Sequence, residues 1–142
     1  MKYRKVRSLT FMAALAAVAL LSISTVAHAQ SVGIRAKIPF DFYVGSEKFP
    51  AGSYTVLRQG YSIARVEDEK GHASLIMTSP ISVRAATSKP GLVFNRYGNY
   101  HFLSEVTWGE SNVGHHVSRS SFELEIAKGI SGERVVASNK NR

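Results

Sequence analysis

From Ile38 onward the chain is dominated by short runs in which apolar and polar side chains alternate, punctuated by glycine, proline or a polar turn. A period of two is the repeat of a strand with one buried face, whereas a helix needs apolar positions three and four apart. Ile38, Phe40, Phe42 and Val44 point one way, Asp41 and Tyr43 the other, and Gly45-Ser46 reads as a turn. Phe49-Pro50-Ala51-Gly52 is a second turn, because Pro50 presets φ at its second position. Strands follow at Ser53 to Arg58, Tyr61 to Val66 and Ala73 to Met77, with Tyr61 and Ile63 on one face and Ala73, Leu75 and Met77 continuing the alternation. Pro80 interrupts this run, since it has no N–H to give to a ladder, and Ile81 to Ala86 reads as a separate short strand.

The clearest element is a hairpin, Leu92 to Tyr97 and Tyr100 to Trp108 around Gly98-Asn99. Glycine followed by asparagine between apolar runs is a two-residue hairpin signal. In an unbroken register Tyr97 faces Tyr100, Asn95 faces Phe102, Phe94 faces Leu103 and Leu92 faces Glu105. Val93, Tyr97, Tyr100, Phe102, Val106 and Trp108 then share one face, and Leu92, Phe94 and Leu103 the other. Gly109 to Val117 reads as a polar loop or weak strand. Residues 120–128 alternate at Phe122, Leu124 and Ile126, but Ser120 with Glu123 forms a capping box and Gly129 sits where a helix would stop, which favours a short helix. Gly129 onward reads as a loosely held tail. The expected fold class is all-β, an antiparallel sandwich or barrel of about seven strands. Most strands are shorter than the roughly 9 to 11 residues of a transmembrane barrel.

The N-terminus has a different character. Lys2, Arg4, Lys5 and Arg7 precede an apolar run from Phe11 to Ile23, broken only by Ser22, and Ala27-His28-Ala29 follows. This is the three-part pattern of a cleavable secretory signal, with cleavage expected before Gln30. The apolar run would reach about 20 Å as a helix, short of the roughly 30 Å hydrocarbon core. The domains expected are therefore a leader, 1–29, and one exported β-rich domain, 30–142, periplasmic or extracellular. No adjacent arginine pair is present, which favours the general secretory route. With no cysteine in the chain, disulfides, thiol catalysis and a lipid-modified N-terminal cysteine are all excluded. Four of the 18 Lys and Arg fall in the leader, leaving 14 against 10 acidic residues. A net charge of that size aids solubility and does not imply nucleic acid.

Two stretches resemble a group of exported β-rich proteins of soil bacteria. One is Phe40-Asp41-Phe42-Tyr43-Val44-Gly45 with Phe49-Pro50-Ala51-Gly52-Ser53-Tyr54-Thr55-Val56. The other is Leu92-Val93-Phe94-Asn95-Arg96-Tyr97-Gly98 with Tyr100-His101-Phe102-Leu103-Ser104-Glu105-Val106. The resemblance implies export and a single compact domain spanning nearly the whole mature chain. The group has no assigned activity, so it supplies no functional residues.

The residues themselves offer few sites. His115 and His116 are the only adjacent histidine pair and the metal candidates, but neighbours in a strand point to opposite faces, so both could reach one ion only from a loop. Glu105 lies on a hairpin expected to be covered, where a carboxylate must be paired or neutral. The Gly-x-Ser-x-Gly elbow of serine hydrolases is absent. Tyr97, Tyr100, Phe102 and Trp108 form the aromatic stripe that would hold an apolar or carbohydrate ligand if exposed, and a core layer if not. No catalytic residue and no cofactor is assigned. The leading expectation is an exported, non-enzymatic domain, binding or structural in the cell envelope, with an envelope protein or small ligand as partner and no membrane span after cleavage. A small-ligand-binding barrel is the alternative, and a metal-dependent or hydrolytic enzyme the second.

Overall fold

The computed structural model describes residues 32–83, 89–109 and 112–138. The leader, the end of the strand expected at Ile81 to Ala86, and the last four residues lie outside them. The described residues form ten strands and one helix. In chain order they are β1 (Gly33–Ile38), β2 (Phe42–Val44), β3 (Glu47–Phe49), β4 (Gly52–Arg58), β5 (Ile63–Asp68), β6 (Ala73–Ser82), β7 (Gly91–Tyr97), β8 (Tyr100–Thr107), β9 (Val113–Val117), α1 (Ser121–Ala127) and β10 (Glu133–Ser138). The all-β expectation holds: one antiparallel meander, β1-β4-β5-β6, continues through β9 into β8, which carries β7 and β10 on one edge. The small β2–β3 ribbon joins the other edge of β8 through a parallel bridge, Tyr43 to Phe102. The sheet folds over itself as a sandwich-like body, and β1 comes to lie against β7 and β10.

The fold turns its corner on β6. Residues 73–77 pair with β5 and residues 78–82 pair with β9, so one strand serves both halves. Pro80 therefore does not end the strand, contrary to the sequence reading. Thr78 N donates to Ser62 O on the β5 side. Two residues further on, Pro80 directs its nitrogen to that same side, where β5 has already ended and no ladder donor is needed.

The core holds Ile34, Ala36 and Ile38 from β1, Tyr54 and Val56 from β4, Ala64 and Val66 from β5, Leu92 and Phe94 from β7, and Leu103, Val106 and Trp108 from β8 or just after it. Phe42 lies at its centre, edge-on to Tyr54 at 4.9 Å and to Phe94 at 5.4 Å, and stacked on Phe49 at 5.6 Å. The Phe49–Gly52 turn is fastened twice. Tyr54 Oη donates to Pro50 O at 2.6 Å, and Ala51 N donates to Asp41 Oδ1 at 3.0 Å. That bond and the neighbouring Lys48 hold the Asp41 carboxyl below its ordinary pKa. Phe42, Phe49, Tyr54 and Phe94 thus form a cluster of packed aromatic rings.

Two expectations need correction. A β-bulge falls between Val93 and Phe94: Phe94 pairs with Leu103 but Val93 pairs with Glu105, leaving Ser104 as the extra residue, its Oγ bonded to Val93 O. One extra residue changes which face every later side chain occupies. Val106 and Trp108 consequently join Leu92 and Phe94 in the core instead of sharing a face with Phe102. The supposed tail is strand β10, in register with all of β7 except Tyr97, from Glu133↔Arg96 to Ser138↔Gly91. Val135, Val136 and Ala137 form an apolar run there, but it does not alternate, so the sequence carried no period-two signal for the strand. Residues 113–117 are a true strand that closes on both β6 and β8. The helix forms and Ser120 caps it, with Glu123 N donating to Ser120 Oγ at 3.1 Å, but the Glu123 carboxylate turns to Asn95 and Tyr97 instead of completing the box. The hairpin turn also forms, with Gly98 at φ 59 and Asn99 at negative φ, the II′ pattern that glycine admits without strain.

Candidate functional site

The strand pairing decides which face of β5 and β6 is buried. Ala64 lies opposite Ile76, and both turn inward. Their neighbours, Ile63 and Met77, are also register partners and must turn outward, as must Leu75, which lies opposite Arg65. The alternation at Leu75 and Met77 is thus real, but its apolar set faces solvent: Leu75 is 63% exposed, Met77 75% and Ile63 42%, while Tyr61, in the bend before β5, turns its ring toward His115 at 6.5 Å. Leu57 extends this face from β4, in register with Arg65 and Gly33. A side chain at Gly33 would place Cβ 2.5 Å from Leu57 Cδ2, so the glycine lets Leu57 lie flat across β1. In the middle stands Arg65, whose guanidinium is 3.2 Å from the Glu67 carboxylate. Scattered exposed apolar residues are ordinary, whereas Ile63, Leu75 and Met77, with half-buried Leu57 beside them, adjoin on one sheet face and form a patch.

The four aromatic candidates divide between two places. Trp108 is buried in the core, where Nε1 donates to Val56 O at 3.1 Å, the Arg58 guanidinium lies 5.9 Å from its ring centre, and His115 meets it edge-on at 5.0 Å. Tyr97, Tyr100 and Phe102 lie on the opposite face of the hairpin, where α1 covers them. Phe122 packs on Phe102 at 5.7 Å and on Tyr100 at 6.0 Å, and Tyr43 closes the group at 5.1 Å from Phe102. Gly132 passes so close to Tyr97 that an added Cβ would sit 2.7 Å from its ring. The four therefore do not line one cavity.

The charged groups under α1 were not legible as a unit. Glu123 is buried, and its Oε1 accepts from Asn95 Nδ2 at 2.8 Å and Tyr97 Oη at 3.2 Å, with Arg119 Nε at 3.8 Å. Burial first, and then the Glu123 charge, push the Tyr97 phenol above its ordinary pKa. The arrangement anchors the helix to the sheet.

His115 and His116 occupy opposite faces of β9. His115 is buried, with Nδ1 3.2 Å from Thr78 Oγ1. His116 stands on the outer face in register with Glu105. Glu105 pairs with Val93 rather than Leu92, and its carboxylate meets Arg134 of β10 at 2.7 Å. Arg96 and His101 lie on the other side of the hairpin from it, as the bulge requires. Among the described residues no three His, Asp or Glu side chains gather closely enough to hold a metal ion. An open depression of about 310 Å³ lies between Arg35, Ser53 to Thr55 and Glu67 to Glu69. Asp68 there is already bound, accepting from Lys70 N and His72 N.

Two histidines, His115 buried and His101 half-buried, are expected to give the fold a pH dependence. Burial, with Arg58 adding to it, holds His115 below the ordinary 6.5, and burial with Arg96 does the same for His101. His101 is stacked on Phe40 at 4.0 Å, and its buried Nδ1 has no hydrogen-bond partner. Above pH 6.5 both are neutral in either state and stability is complete. As the pH falls below 6.5 the unfolded chain takes up protons that the folded chain refuses, so stability is lost down to the folded pKa values. The urea midpoint at about pH 5 is expected below that at pH 7, and His115→Gln with His101→Gln should flatten the difference. An unchanged midpoint in the parent protein would refute this.

No helix among the described residues is long and apolar enough to cross a membrane. No family model, curated protein or solved structure matches the chain.

Proposed function

We propose that this chain is an exported β-domain that acts by binding, in the periplasm or outside the cell, and that the outer face of β5 and β6 is where it binds. The observation that carries the reading is the exposure of Ile63, Leu75 and Met77 side by side on a regular sheet. An apolar surface of that kind on an exported domain costs solubility unless something covers it. Met77 and Arg65 are also of the types enriched at interface centres. The buried polar groups nearest to chemistry have structural work instead. Glu123 anchors α1, His115 meets Thr78, and Glu105 meets Arg134. Export is supported by the basic start, short apolar run and Ala27-His28-Ala29.

A photo-reactive amino acid at position 77, expressed in the native host, tests the reading. A discrete higher-mass adduct is expected from position 77 and none from position 128 on α1. N-terminal sequencing of the same material should begin at Gln30. Absence of any adduct at 77, or a retained leader, would overturn the corresponding half of the proposal.

A further inference from the structure

We infer that the β5–β6 face, together with the outer side of β1 and β4 beside it, docks on an anionic lipid bilayer. The inference rests on the binding reading above and adds the chemistry of the partner. The strand register lays out one continuous face. Gly33, Leu57, Arg65 and Leu75 form one row across β1, β4, β5 and β6, and Arg35, Thr55, Glu67 and Ala73 form the next. Ile63 and Met77 lie beyond the first row, and Lys37 and Ser53 beyond the second. Exposed apolar side chains are thus gathered toward one end, while Arg35 and Lys37 stand exposed on β1 toward the other. Four strands about 4.8 Å apart make a face about 14 Å across.

Charge selects the occupant. Arg65 and Glu67 balance each other at 3.2 Å. Arg35 and Lys37 have no ion-pair partner among the described residues, so the face carries two uncompensated positive charges. Asp68 is turned into its own hairpin, where it accepts from Lys70 N and His72 N, and Glu69 in that turn is followed by Lys70. A purely apolar partner would leave Arg35 and Lys37 without anions. An anionic bilayer supplies both needs at once, phosphates at its surface and hydrocarbon beneath them. Leu75 and Met77, the most exposed apolar side chains of the face, enter the boundary between headgroups and acyl chains. Arg65 lays its stem beside its register partners Leu57 and Leu75 and keeps its charge at the Glu67 carboxylate.

Co-sedimentation of the mature protein (residues 30–142) with lipid vesicles reads this directly. Binding is expected to vesicles of phosphatidylglycerol mixed with phosphatidylcholine, and not to phosphatidylcholine alone. Raising the salt from about 0.1 M to about 1 M, which shortens the Debye length from about 10 Å to about 3 Å, should release most of the bound protein. Arg35→Gln with Lys37→Gln should weaken binding about 30-fold, about fivefold for each cation near an anionic surface. Leu75→Ser with Met77→Ser leaves the charge unchanged and should weaken it at least tenfold, whereas Lys128→Gln with Leu124→Ser on α1 should not. All six side chains are exposed, so far-UV circular dichroism should match the parent. A parent that ignores phosphatidylglycerol vesicles overturns the inference, as does equal binding to phosphatidylcholine. So does parent-like binding by R35Q/K37Q or L75S/M77S, or an equal loss in K128Q/L124S. The photo-adduct from position 77 should carry the mass of a phospholipid. An adduct to an acidic protein, with no vesicle binding, would sink the membrane while leaving the binding reading standing; no adduct and no vesicle binding would sink both.

Discussion

Replacing Phe42 by alanine is expected to lower the unfolding free energy by about 3–5 kcal/mol, the usual cost of deleting a buried aromatic ring. Phe42 has no solvent-accessible surface, and its ring contacts side chains from β3, β4 and β7. Alanine would remove the ring from three aromatic contacts at once and leave a space that strands on three sides cannot collapse to fill. A domain of this size has about 5–15 kcal/mol in total, so the variant should be folded only marginally at 37 °C. Urea titration checks this: the midpoint should fall sharply with the slope unchanged. Phe42→Leu should lose much less, because it refills most of the volume. A loss under about 1 kcal/mol for the alanine variant would mean that the centre of the core is elsewhere.

The second large effect is expected at Glu123. Glu123→Ala should cost about 3 kcal/mol, since a hydrogen bond to a charged group contributes about 1.5–3 kcal/mol and two such bonds, with the nearby Arg119, lose their acceptor. Tyr97 Oη is left buried without a partner, and α1 loses its polar tie to the sheet. Glu123→Gln keeps an oxygen facing Asn95 and Tyr97 and should lose roughly a third as much. Hydrogen exchange distinguishes anchoring from general stability. Amides of residues 121–127 should lose protection in Glu123→Ala by more than those of β4 and β5. Uniform loss across all elements would contradict the anchoring role.

The reading of the hairpin shows where sequence reasoning ran out. Its turn, its two strands and the pairings from Tyr97↔Tyr100 to Phe94↔Leu103 all follow from Gly98-Asn99 and alternation. Beyond Leu103 the reading fails, because nothing in Ser104-Glu105-Val106 announces a bulge, and a bulge inverts the faces of all that follows. That single insertion moved Trp108 from a supposed ligand stripe into the core and Glu105 to the side of Arg134. The error at β10 has a different cause: Glu133 to Ser138 contributes through backbone pairing, to which composition is blind.

The candidate site was half legible. Ile63, Leu75 and Met77 were recognisable as alternating strand residues, but alternation tells only that one set is inside, not which. Ala64, Val66 and Ile76 are equally apolar and won the interior, because β5 and β6 pair with their neighbours in a register that aims those residues at Phe42 and its surroundings.

Local chemistry alone determined most of the strands from β4 to β8, the hairpin turn, the capped helix and the all-β class, because backbone sterics and side-chain period act within a few residues. Tertiary pairing decided the two-sided use of β6, the burial of Trp108 and Glu123, and the face left open on β5 and β6. Those outcomes depend on which distant strand supplies the partner for each N–H and C=O, and no short window of sequence contains that information.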